Sequence, residues 1–170
     1  MKKIYLLLTA VFGLVIGTTS CTDLSIGAID NPDLQEMIEA WEQRHYPAEA
    51  PIRGFSEKFF CQDWKFLAGE AKCFGPDGEP VTHDIDYIYY GFKIEESGEI
   101  VVTYDNPGGK VLGEWMMKGN LFAFGHYDTY DQKSFCCYIY ELVSVTKTTL
   151  TLRELGISPE EYNTFEFVRR

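Results

Sequence analysis

The residues able to do chemistry in this chain are three histidines, a group of cysteines and many aromatic rings. His83 stands beside Asp84 and Asp86, and His126 stands near Asp128 and Asp131. A histidine with carboxylate neighbours is the minimum for a metal site or a proton-transfer pair. Without a third ligand at fixed spacing, such pairs read first as solvated loop residues, and His45 has no such neighbours. Asp128-Thr129-Tyr130-Asp131 lacks the Gly and the Glu of a calcium loop. There is no Gly-x-Ser-x-Gly, no phosphate-cradling loop and no His-Glu-x-x-His. No catalytic residue, metal or cofactor is therefore expected, and enzymatic activity ranks last among the functions considered.

Four cysteines, Cys61, Cys73, Cys136 and Cys137, are disulfide candidates, and four thiols allow three complete pairings. Neighbours on a strand point to opposite faces, which disfavours a Cys136–Cys137 bridge. Cys61 and Cys73 would then each meet one of that vicinal pair. The competing reading is four free thiols used as small core residues. No Cys-x-x-Cys spacing supports zinc.

The aromatic set is denser than any of these. Phe92, Trp115, Met117, Phe124, Tyr138 and Tyr140 are the candidate ligand-binding residues, with Tyr87, Tyr89, Tyr90 and Phe122 beside them in sequence. Rings with polar tips could line a cup for a lipid, a flat ring or a sugar. Equally, the same rings could fill a small barrel completely. The net charge of −11 repels a phosphate backbone and argues against nucleic-acid binding.

These residues need elements to place them. The chain opens with Met1-Lys2-Lys3, an apolar run from Ile4 to Ile16, and Gly17-Thr18-Thr19-Ser20-Cys21. Basic start, apolar middle and small-residue end make a secretory signal peptide over residues 1–20. The apolar run is too short to span a bilayer comfortably. The final segment resembles a bacterial lipoprotein lipobox, with an atypical Thr18 where an aliphatic residue usually stands. The resemblance implies a lipid-modified Cys21 at the mature amino terminus and a membrane anchor. Loss of Lys2 and Lys3 makes the chain more acidic still, so anchoring would come from the acyl chains alone. The expected location is extracytoplasmic, on the envelope of a Gram-negative bacterium, at the outer membrane.

Residues 21–54 read as a tether and one amphipathic helix. Asn31-Pro32-Asp33 is a helix start, and Leu34, Met37, Ile38 and Trp41 recur at i, i+3, i+4 and i+7. Pro47 and Pro51 end it. The acidic opposite face suits packing on the following domain better than lying on a membrane.

Residues 55–170 then change to about eight short strands with tight turns: Gly75-Pro76-Asp77-Gly78, Ser97-Gly98, Asn106-Pro107-Gly108-Gly109, Lys118-Gly119-Asn120 and Thr146-Lys147. Lys58 to Leu67 reads as the first. So many short strands without crossover helices predict a mostly β, antiparallel meander closed into a barrel.

Phe92 to Gly98, Gly113-Glu114-Trp115 leading to Gly119-Asn120, and the pair Tyr140 to Leu152 follow one another in order. This order resembles the small lipocalin-like domains of bacterial lipoproteins. The resemblance covers about Phe59 to Val168 and implies an up-and-down barrel that binds a small hydrophobic or amphipathic ligand without catalysis. The leading helix departs from that pattern. The alternative function is a filled-barrel scaffold or protein-interaction lipoprotein, with an envelope protein as its partner.

Overall fold

The structure is a computed structural model and describes residues 25–85, 89–104, 109–127, 135–156 and 160–170. The signal segment, Cys21, Tyr87 and the carboxylates Asp86, Asp128 and Asp131 lie outside these, as do the side chains of Tyr89 and Tyr90.

Glycines at positive φ reverse the chain where two strands must turn tightly. Gly98 (φ 91°) sits between β4 (Tyr89–Ile94) and β5 (Glu99–Tyr104). Gly119 (φ 58°) sits between β6 (Lys110–Lys118) and β7 (Leu121–Tyr127). The chain continues through β8 (Phe135–Val145), β9 (Thr149–Leu155) and β10 (Tyr162–Arg169). Every sequential pair from β4 to β10 is antiparallel. The ring closes through β2 (Asp63–Phe74), which pairs with β10 along its length and with β4 at Asp63↔Lys93, Trp64↔Phe92 and Lys65↔Gly91. The result is a closed eight-stranded antiparallel barrel.

Two strands lie off this ring. β3 (Pro80–Asp84) pairs with the second half of β2 where β4 has ended. β1 (Ser25–Gly27) pairs with β6 at Lys118, Met117 and Met116. Part of the segment read as a tether is thus bound to the barrel. Lys58 to Phe60, aromatic and read as strand, belongs instead to the short helix α2 (Glu57–Phe60). Trp64 Nε1 donates to the Phe60 carbonyl at 2.8 Å, holding that turn across one end of the barrel.

Three register shifts explain which apolar side chains point outward. Each inserts an extra residue and reverses the alternation beyond it. Leu67 and Val143 are two such residues, and both are exposed. Past the second shift, inward positions change from Tyr140 and Leu142 to Val145.

The helix α1 (Pro32–Arg44) lies on the outer wall. Asn31 Oδ1 accepts from the Asp33 and Leu34 amides at 2.9 and 3.1 Å, capping its first turn. Leu34, Ile38 and Trp41 pack on Met116, Leu121 and Ala123. This accounts for β7, buried along almost its whole length: one parity faces the barrel interior and the other faces α1. Beyond α1 the chain passes the β6–β7 turn, where Asn120 Oδ1 accepts from the Glu49 amide at 2.9 Å.

Candidate functional site

The six candidate rings and thioether all face the barrel core. Phe92, Trp115, Met117, Phe124 and Tyr140 are buried, and Tyr138 is half-buried. The rings pack against neighbouring rings. Phe124 lies 5.2 Å from Phe92, 5.2 Å from Tyr138 and 6.0 Å from Tyr140, centroid to centroid. Phe60 closes over Trp115 and Phe122 at 5.4 and 5.0 Å. Phe92 meets Phe167 at 5.0 Å, and Tyr140 meets Phe165 at 6.1 Å. Rings at 5–6 Å, whether stacked, tilted or edge-on, are in packing contact.

The interior becomes polar only toward the end opposite α2. There His126 is 6% exposed, paired in register with Cys136. Its Nδ1 faces the Tyr127 carbonyl at 3.2 Å and its Nε2 faces the Tyr104 hydroxyl at 3.2 Å. A carbonyl only accepts, so Nδ1 carries a proton toward Tyr127, while Nε2 pairs with the Tyr104 hydroxyl. These two contacts orient the ring against Tyr138. His83 is exposed on β3, and His45, after α1, packs at a tilt against Trp41. No cluster of three or more potential metal ligands occurs among the described residues.

The four disulfide candidates are free thiols. Cys136 and Cys137 follow the alternation of β8, one beside His126 and the other under α1. Burial pushes the Cys137 thiol up to about 12. Cys61, at the α2 end, is likewise raised to about 12, by burial first and then by Glu57, Glu96 and Glu95. Thiols held this far above neutrality are poor nucleophiles.

The surface feature with most character is one the alternation reading overlooked. The β6–β7 ladder stops at Glu114↔Gly125, while β6 continues along β5 to Lys110 and β7 continues along β8 to Tyr127. The two strands therefore part toward the far end. A trough lies over this parting, made of adjoining hollows of about 510 and 460 Å³ that share Asn31, Glu114 and Tyr127. Leu112 is 75% exposed, Tyr127 54% and Ile29 44%. Tyr127 is braced edge-on by Phe135 at 5.2 Å. Asp30, Asp33, Glu99 and Glu114 stand around these apolar groups, with Asn31 donating to Glu114. The sequence signal was Leu112, an aliphatic residue on the outward parity of β6.

Comparison with known proteins finds no match: no family model, no curated protein and no solved structure is significantly similar to this chain.

Proposed function

We propose that this chain is a lipid-anchored envelope protein whose lipocalin-like barrel is a filled scaffold and whose outer wall binds a protein partner. The observation that carries this reading is the contrast between inside and outside. The interior rings are in contact with one another, whereas Leu112, Tyr127 and Ile29 are left in water. A ligand-binding barrel spends its aromatic surface on an internal cavity; an interaction module displays apolar groups within a polar rim. The acidic rim selects the partner's chemistry: a segment with aliphatic or aromatic residues flanked by Lys or Arg. The anchor rests on Cys21 and the leader before it. No step of bond making is assigned.

A second reading has one observation behind it. Tyr104 and Tyr138 are only half-buried and flank His126 at the far end, which suits a small amphipathic ligand at the barrel mouth. One pair of measurements separates the two. A photo-crosslinking residue at Leu112 in the native envelope is expected to give a discrete protein adduct, and one at Asp77 none. Delipidated protein titrated with N-phenyl-1-naphthylamine is expected to show no saturable uptake in native mass spectra. One-to-one uptake displaced by fatty acid, with no adduct at Leu112, would overturn the scaffold in favour of the ligand.

A further inference from the structure

We infer that the barrel stands on the bilayer by its α2 end, that this end carries a cationic contact for lipid headgroups, and that the far end points away. The inference rests on the lipid-anchor reading and adds orientation and a lipid-facing surface to it.

The first support is the length of chain between anchor and fold. Cys21 is four residues before Ser25, and Ser25 is already paired with Lys118 beside the β6–β7 turn. A chain reaches at most about 3.6 Å per residue, so four steps span about 14 Å. β2 alone, Asp63 to Phe74, rises roughly 40 Å at about 3.3 Å per residue. The tether is therefore much shorter than the barrel. β1 enters at the end that holds the β6–β7 turn, so only that end can come close to the anchored Cys21.

The second support is the distribution of charge on an otherwise acidic protein. Lys58 on α2, Lys147 in the β8–β9 turn, Arg169 at the end of β10 and Arg170 after it gather at this end, all exposed. They are neighbours through the fold: Lys147 lies over the Phe59 ring at 5.9 Å, the Arg169 amide donates to the Thr148 carbonyl, and the Arg170 amide donates to the Asp63 carbonyl. Glu49, Glu57, Asp63, Glu95 and Glu96 stand at the same end, where Asp63 offsets Arg170 and Glu95 pairs with Lys93. At the far end, Asp77, Glu79, Asp84, Glu160 and Glu161 are exposed or half-exposed and outnumber Lys72 and Lys110. The Debye length in physiological salt is about 8 Å, so headgroups act only on charges brought this close. The tether brings this connected edge of cations within that range, with the carboxylates beside it, and holds the carboxylates of the far end beyond it. The chemistry recognised is the anionic phosphodiester of a phospholipid headgroup.

The test uses the full chain purified from membranes and reconstituted into vesicles of phosphatidylcholine and phosphatidylglycerol. An environment-sensitive fluorophore is introduced by an unnatural amino acid at Thr148 or at Asp77, both in turns. Headgroup-nitroxide lipid is expected to quench the Thr148 probe several-fold more than the Asp77 probe. Arg169→Glu with Arg170→Glu, or a flexible insertion between Thr22 and Ser25, is expected to reduce the difference. Equal quenching, or stronger quenching at Asp77, in protein whose intact mass shows acyl chains overturns the orientation and leaves the anchor standing. An intact mass without acyl chains overturns both.

Discussion

Two carboxylates where α1 and its following turn meet the barrel, Glu42 on the helix and Glu141 on β8, show how single residues couple this fold to pH, and they act in opposite directions. Glu141 is 7% exposed on the outer face of β8, accepts a hydrogen bond from Tyr46 and lies 3.6 Å from Arg153. Burial raises its carboxyl above the usual range, and Arg153 pulls it only partly back. Glu42 is also pushed up by burial, but the hydrogen bond from Lys118 at 2.7 Å, the Ala48 amide and the Lys118 charge outweigh this and leave it lowered. A carboxyl raised in the folded state favours folding while it is protonated. Its contribution is present below the unfolded value and fades as pH rises through the folded one. A lowered carboxyl contributes above the unfolded value and loses that contribution as pH falls through the folded one. Acidification from neutrality should therefore first add stability through Glu141 and then remove it through Glu42. Glu141→Gln keeps an acceptor for Tyr46 and is expected to erase the gain while sparing the later loss. Urea midpoints across pH for parent and variant provide the check. Superimposable profiles would rule out Glu141 as the titrating group.

Among the elements, α1 is the one whose removal should leave a recognisable remainder. It contacts β6, β7 and β8 through Leu34, Ile38 and Trp41, in a cluster separate from the barrel core. Ile38→Glu puts a charge against Met116, Leu121 and Ala123 and is expected to detach the helix while the barrel keeps its ring contacts. Faster hydrogen exchange confined to residues 32–46, with increased dye binding, would report this; global loss of aromatic circular dichroism would contradict it. Element by element, what could be read in advance follows the range of the forces involved. Turns at Ser97-Gly98 and Gly119-Asn120 are fixed by local backbone chemistry, and β5 and β7 were legible to the residue. The extra residues Leu67 and Val143 were not, because a bulge is defined by the partner strand as much as by its own sequence. Phe59 and Phe60 suit a strand by propensity, yet the Trp64 indole and the core under Phe60 hold them in α2. Phe92, Trp115, Phe124 and Tyr140 share one buried cluster. Whether they line a space or fill it depends on summed side-chain volume, which no local pattern encodes. The trough escaped notice for a related reason: Leu112 is unremarkable until β6 and β7 separate beside it.

At the scale of the whole molecule, a closed barrel is only as continuous as its shortest joint. Seven of the eight joints are hairpin neighbours or, for β2 with β10, a ladder along nearly the full strand. The joint between β2 and β4 has three paired positions before β3 replaces β4 beside β2. Gly91 occupies one of the three, opposite Lys65. A Cβ there would come within 2.0 Å of the Trp64 carbonyl oxygen, a backbone atom that cannot move without separating the strands. Parting them would admit water to Trp64, Phe92 and Phe167 together, because these rings share one core. The effect of Gly91→Val should therefore exceed that of an ordinary surface substitution and reach the rare range above about 4 kcal/mol. The expected result is loss of near-ultraviolet aromatic ellipticity and of a cooperative urea transition, with β signal retained in the far ultraviolet. Gly78→Val is the control: a Cβ at that hairpin tip meets nothing within 4 Å, so only the strain at φ 81° should register, as a modest fall in midpoint. If both variants unfold at the same midpoint, closure at β2–β4 does not govern the stability of the barrel.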